Sequence, residues 1–337
     1  MKHLLRLLIA GFTLLGGMAD AQVSQAGQGL DSAVLADLKQ KLPTEFPSVR
    51  SVVLLLHGQP AFEFYRDGLD ALTLHDARFA TASVVSTLVG IALNEGLIKS
   101  TDQPLSDFLK EAVDEGVDTR VRTMKLEHIL TLTAGFDPSV KQVGKWAFPT
   151  AFALRRPLVN EPGAAFSFNP GTAHLAARVL VSATKGSVSG FAKKHLFGPL
   201  QIERYLWKID GPGGNELGYA GLQLSALDMA KIGQLYLQDG VWNGKPMMSS
   251  KYVDSATRKQ NKGGAPLGWS YGYLWWVAPT DATSAFMAGA DDGQRIYVDR
   301  TLNLVAVVTS DSPRVRGQKP AEVDLLLNNF VLRSARR

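Results

Sequence analysis

The segment from Phe79 to Gly96 reads FATASVVSTLVGIALNEG. Val85, Leu88, Val89, Ala92 and Leu93 recur at three- and four-residue intervals, which gathers them on one broad helical face, and Gly96 supplies a C-terminal stop. The spacing predicts a helix over 79–94, the clearest helical segment of the chain. Working outward, Val49 to Leu56 is a β-branched and leucine run, followed by His57-Gly58-Gln59-Pro60 and then Ala61 to Tyr65. Two strands joined by a tight turn fit that pattern. Before them, Asp31 is placed to cap a short helix at about 32–41.

On the other side, helical periodicity recurs at about 124–132, 171–184, 187–196 and 225–239, between loops rich in Gly, Pro and Asn. Past Gly264 the pattern turns to strands at Tyr271 to Val277, Ser284 to Ala288, Gln294 to Val298 and Leu304 to Ser310, with a last helix at about 320–332. Strands at both ends with helices between them imply one sheet assembled from distant parts of the chain, an α/β (α+β) class. The sequence shows no internal repeat and no low-complexity segment.

The chain has 337 residues, 45% hydrophobic and 20% charged, enough to bury a sizeable core. Its first 21 residues read differently. Lys2 and Arg6 form a basic start, Leu7 to Met18 an apolar run, and Ala19-Asp20-Ala21 a small-residue cleavage site. This is the pattern of a signal peptide cleaved after Ala21, and it places the protein in the periplasm or outside the cell; a retained amphipathic anchor is the alternative. Gln22 to Leu30 is expected to be a flexible tether, and 31–337 the folded domain. No later segment approaches 18 uninterrupted apolar residues, so no transmembrane segment is expected in the mature chain. There are no cysteines, hence no disulfides, and stability must come from the core. Net charge is +5, and losing Lys2, Arg6 and Asp20 with the leader leaves +4. Arg314, Arg316 and Lys319, and Arg333, Arg336 and Arg337, are basic clusters without interleaved aromatic residues, which reads as solvated surface and not as a nucleic-acid site.

Several stretches carry a family resemblance. They are SVVSTLVGIALNEGLIKSTDQPLSDFL from Ser83, LEHILTLTAGF from Leu126, EPGAAFSFNPGTAHLAARVL from Glu161, LSALDMAKIGQLYLQDGVWNGK from Leu224, YGYLWWV from Tyr271 and GQRIYVDRTLNLVAVVTSD from Gly293. In order and content they resemble the β-lactamase-related serine hydrolases, the group of class C β-lactamases, DD-peptidases, esterases and nylon-oligomer hydrolases. The resemblance runs from about residue 50 to 310. It implies a β-lactamase/transpeptidase-like fold, an antiparallel sheet flanked by helices (31–78 and 265–337) plus a mainly helical subdomain (79–264).

It also implies a chemistry whose parts are missing. The family mechanism starts from S-x-x-K at the head of the first long helix, where serine and lysine share a face and the lysine takes the hydroxyl proton. The matching residues here are Phe79-Ala80-Thr81-Ala82, so neither Phe79 nor Ala82 has a nucleophilic or ionisable atom. The family's Y-x-N falls on Phe168-Asn169-Pro170, which keeps a ring and loses the proton-relaying hydroxyl. The glycine-rich G-x-G-G-Q strand bordering the family pocket falls on Ala290-Asp291-Asp292-Gly293-Gln294, where two carboxylates should obstruct an anionic substrate. Removing the nucleophile costs about a million-fold in a serine protease, and a general base contributes roughly a hundred- to ten-thousand-fold.

Substitutes are few. Ser83 and Ser86 lie four and seven residues beyond Phe79, on the same helix face but one and two turns deeper, and read as packing residues. Ser182-Ala183-Thr184-Lys185 is an S-x-x-K at the end of a different helix, a coincidental match. Asp291, Asp292, Gly293, Gln294 and Ser83 remain the pocket candidates. His57, His75, His128, His174 and His195 show no ligand spacing, so neither a metal nor another cofactor is expected. Trp275 and Trp276 border a cleft or pack a strand. The reading that follows is an exported pseudoenzyme that binds a small molecule or a cell-envelope component. Its alternative is an active hydrolase of esters, amides or β-lactams with a displaced nucleophile or an activated water.

Overall fold

Val49–Leu56 (β2) and Leu304–Ser310 (β9) are buried along almost their whole length, as continuous apolar runs covered on both faces should be. They pair antiparallel, Val52 opposite Val308 and Val53 opposite Val307, and this seam joins the two ends of the chain. The computed structural model describes residues 22–139 except 24–28, then 149–209, 214–279, 284–291, 293–311 and 322–335, with 22–23 through their backbone only. The segment 1–21 expected to be a leader, Asp292, the Arg314–Arg316–Lys319 cluster, Arg336 and Arg337 lie outside the described residues.

Around that seam the main sheet has nine strands. The others are Gln22–Val23 (β1), Gln59–Tyr65 (β3), Asn261–Gly264 (β4), Trp269–Tyr271 (β5), Trp276–Val277 (β6), Ala285–Gly289 (β7) and Arg295–Asp299 (β8). Their spatial order is β1-β3-β2-β9-β8-β7-β6-β5-β4, antiparallel throughout. Helices cover both faces. Gly233 of the helix Ala226–Leu237 sits against Ile296, Val298 and Val305. Arg295, which the pleat points to the other face, pairs with Asp324 of the C-terminal helical stretch 322–335 at 3.0 Å. There Ser32–Glu45 (α1) packs alongside, capped by the Asp31 carboxylate and locked by Phe46 against Phe330.

The helix predicted over 79–94 is Ala80–Asn94 (α2), and every side chain from Ala80 to Ala92 is buried. A helix apolar all round belongs in the middle of a protein. It packs on β7, on Pro170–Thr184 (α3) and on Ser250–Thr257. The mixed α/β architecture and the antiparallel sheet flanked by helices are thus as expected.

Three details differ. The run Tyr271 to Val277 is two strands, β5 and β6, folded back with Tyr271 opposite Trp276. Its aromatic residues favour a strand, but Gly272 and Leu274 (φ +58°) turn the chain, and a Cβ at Gly272 would lie 2.0 Å from the Ala256 carbonyl oxygen. The sheet therefore resumes at Asn261, earlier than residue 265. The tether expected over 22–30 begins with β1, which hydrogen-bonds to the edge of β3, and ends in the buried Leu30. Among the described residues no helix is long and apolar enough to cross a membrane.

Candidate functional site

Two helix starts and one strand converge on the region that the missing motifs point to. At the head of α2, Arg78 takes a left-handed conformation (φ +47°), its N–H donating to Asp76 Oδ1 at 2.9 Å and its Nη2 to the Asp311 carbonyl at 3.2 Å. A side chain held in that region needs such ties. They set Phe79 as the N-cap of α2, and Ala82 follows one turn on, buried. At the head of α3 the Asn169 carboxamide accepts from Thr172 N–H at 3.2 Å and Pro170 occupies the first turn, so Phe168 is the residue before the N-cap. On the sheet side Trp276 donates from Nε1 to the Gly289 carbonyl at 2.8 Å, tying β6 to the end of β7.

These elements bring six aromatic rings together. Phe79 and Phe168 are 4.9 Å apart between centroids, and Phe168 stacks on Trp276 at 5.6 Å. Phe166 reaches Trp276 at 5.8 Å and Tyr271 at 5.0 Å, and Tyr219 faces Phe79 at 6.5 Å. Such spacing is favourable aromatic packing, worth ~1 kcal/mol per pair beyond burial. Phe79 and Phe168, the positions where the resemblance leads one to expect a serine and a tyrosine, are therefore in ring-to-ring contact. Tyr271 is buried, and burial raises its hydroxyl pKa well above the usual value, so it stays protonated. Tyr219, Phe166 and Tyr271 were not among the sequence candidates; they sit on loops and a strand end, where no periodicity marks them.

The substitutes are engaged elsewhere. Ser83 Oγ donates to the Leu274 carbonyl at 2.6 Å inside the core, and Ser86 Oγ lies 3.0 Å from the buried Tyr252 hydroxyl. Ser182 donates to the Phe108 carbonyl at 2.6 Å, and Lys185 is the left-handed C-cap of α3. Of the segment 290–294, expected as a strand, the described residues Ala290, Asp291, Gly293 and Gln294 lie instead between β7 and β8, where Gly289 and Gly293 take φ of +115° and +84°. Asp291 is partly exposed there, Gly293 is buried, and Gln294 donates from Nε2 to the Ser310 carbonyl at 2.7 Å. Trp275 packs in the core against Tyr236 and Phe286, while its neighbour Trp276 joins the cluster.

The histidines are structural. His174, buried on α3, accepts Gly218 N–H on Nδ1 at 3.1 Å, and burial with the nearby Arg178 charge pushes its pKa down to about 4. His128 accepts Lys125 N–H on Nδ1, and its pKa is lowered by burial. His195 stacks on Phe191 at 4.6 Å, and His57 is exposed at the β2–β3 turn. His75 Nε2 lies 3.0 Å from Ser51 Oγ with Asp311 nearby, superficially a nucleophile, base and carboxylate. Ser51 is 0% exposed and Asp311 is bonded to Arg50, so no substrate reaches that hydroxyl. Among the described residues no cluster of His, Asp or Glu could hold a metal ion.

The comparisons with known proteins agree with this geometry at the level of fold. A protein from Bacillus anthracis provisionally assigned as a 6-aminohexanoate-dimer hydrolase superposes with a TM-score of 0.74 at 19% identity, covering 88% of this chain and 81% of its own. A protein from Bacteroides dorei provisionally assigned as a β-lactamase gives 0.76 at 14% identity, covering 91% and 100%. A penicillin-binding-protein homologue from Caulobacter crescentus gives 0.68 at 16%, covering 87% and 94%. No curated protein matches the sequence. The β-lactamase family model matches residues 70–328, more than half of the sequence, from the segment between β3 and α2 into the C-terminal helical stretch. By that match the chain belongs to the β-lactamase family.

Proposed function

We propose that this chain is an exported β-lactamase-family pseudoenzyme that binds a ligand without cleaving it. The observation that carries the reading is the contact of Phe79 with Phe168 at 4.9 Å, at the two positions the family resemblance assigns to nucleophile and proton relay. Neither ring has a lone pair to attack a carbonyl or a proton to transfer, and Ala82 cannot act as a base. The loss of the nucleophile alone brings the family route to within reach of background, by about a million-fold. A scaffold still fully packed around these rings suits retained binding. The partner is a small molecule or a cell-envelope component whose recognised part is apolar, because aromatic faces replace the polar groups that would hold an acyl carbonyl. Asp291 on the adjoining turn disfavours an anion there.

The test is covalent labelling of the protein recovered from the periplasmic fraction, whose first residue should be Gln22. A fluorophosphonate and a fluorescent penicillin are expected to leave it unmodified and p-nitrophenyl butyrate unhydrolysed above background. Labelling at any serine, Ser83 included, would overturn the reading. An N-terminus at Met1 would overturn its export.

A further inference from the structure

A second cavity shares no residue with the aromatic cluster. It has a volume of about 400 Å³, within the range of small-molecule sites, and lies between the β2–β3 turn, the loop 201–204 and the outer face of the helix Ala226–Leu237. Leu227, Lys231 and Gln234 recur along that face at helical spacing and line it. Its apolar wall is Leu55, Leu72, Leu227 and Trp242, and Leu72 is 57% exposed at the rim, far more than a residue needed only for the core.

The telling group is Gln234. Its side chain is only 6% exposed, its Oε1 is shielded from solvent without a hydrogen-bond partner among the described residues, and its amide end lies against Gly58. A buried amide oxygen without a donor forfeits its solvation, and a ligand at the other, Nε2 end of the carboxamide can accept from it, or donate to the oxygen once the amide flips. A peptide group offers an N–H and a C=O together, so it satisfies the carboxamide in either of its two flipped orientations.

Charge narrows the ligand further. Lys231 is already committed, its Nζ bridging the Gln201 carbonyl at 2.9 Å and Asp228 at 2.8 Å, which fixes the loop 201–204 to the helix. Glu203 and Arg204 stand at the mouth, both exposed lining residues, one of each sign and with no ion pair among the described residues, although the Asp70 pKa is lowered by the Thr73 hydrogen bond and also by the nearby Arg204 charge. A zwitterion matches that pair better than an anion or a cation does.

We infer that this cavity is a binding site for a short apolar peptide with free ends: the peptide group meets Gln234, the apolar side chain lies on Leu72 and Trp242, and the carboxylate and ammonium face Arg204 and Glu203. The site is independent of whether the family's catalytic route is lost.

The probe is leucyl-leucine, titrated into the full-length protein by calorimetry and by amide chemical-shift mapping. Saturable binding is expected, with shifts at Gly58, Gln234 and Trp242. Gln234→Met, which keeps the volume and removes both polar atoms, is expected to weaken binding about tenfold or more at an unchanged or higher melting temperature. Should that variant not fold, Trp242→Ala on the rim serves instead. N-acetyl-leucyl-leucine amide, which lacks both charges, should bind more weakly, and the difference should shrink in Arg204→Gln. No saturation up to about 10 mM, near the weakest affinity that still counts as a site, would overturn the proposal. So would an affinity unchanged by Gln234→Met and Trp242→Ala but lost in Phe79→Ala, because the peptide would then occupy the aromatic cluster.

Discussion

His174 shows how a single buried residue sets a condition on the whole fold. Its Nδ1 accepts from Gly218, its ring meets Tyr219 edge-on at 6.3 Å, and burial holds its pKa near 4 against an ordinary 6.5. The unfolded chain therefore binds a proton more readily than the native one. Stability from this residue is fully present above pH 6.5 and is lost as pH falls through that value towards 4, by about 2 kcal/mol between pH 7 and pH 5. His174→Asn keeps an acceptor for Gly218 and removes the titration. Urea denaturation at the two pH values should show the native protein losing about 2 kcal/mol more than this variant, and equal losses would remove His174 as the cause. Residues of this kind were only half legible in the sequence. That Phe79, Ala82 and Phe168 stand where the family resemblance implies serine, lysine and tyrosine was legible directly, because the motifs that carry the resemblance lie on one helix and one loop. The neighbours that fill the space, Phe166 and Tyr219, come from loops whose convergence is a property of the packed molecule.

At the scale of elements, the turn after β7 is where local backbone and site are most tightly joined. Gly289 has φ +115°, a Cβ there would lie 2.1 Å from the Gln294 carbonyl oxygen, and its own carbonyl accepts from Trp276 Nε1. Gly289→Ala should therefore cost about 3 kcal/mol or more, from the backbone conformation and the close contact together. The indole of Trp276 should lose its acceptor geometry, seen as a shift in tryptophan emission before the unfolding transition. A variant within about 0.5 kcal/mol of the native protein would show that the turn relaxes at no cost. The sequence placed this segment on a strand because the family resemblance implies one there, with glycines that let a substrate lie against the backbone. It did not reveal that two of the glycines reverse the chain. For the same reason Tyr271 to Val277 looked like one strand, since aromatic content argues for extended structure and says nothing about where it folds back.

Over the whole molecule, the strands and the helices between them cannot be independent units. The continuous runs of β2 and β9 and the periodicity of α2 made the architecture legible, because burial on both sides leaves long uninterrupted signals. What those signals do not carry is how the parts depend on one another. Ser83 near the start of α2 is hydrogen-bonded to Leu274, between β5 and β6, and α2 is enclosed by sheet and helices from both halves of the chain. The first strands complete their pairing only with β9, some 250 residues later in the sequence. Removing the sheet would expose a helix buried on every side, and removing the helical part would uncover one face of the sheet. Calorimetry should accordingly show a single unfolding transition whose van't Hoff and calorimetric enthalpies agree. A fragment ending before β9 should remain unfolded by near-ultraviolet circular dichroism. Two separated transitions, or a folded fragment 31–264, would mean that the helical part holds its own core, and that α2 and its neighbours can hold the aromatic cluster without the strands.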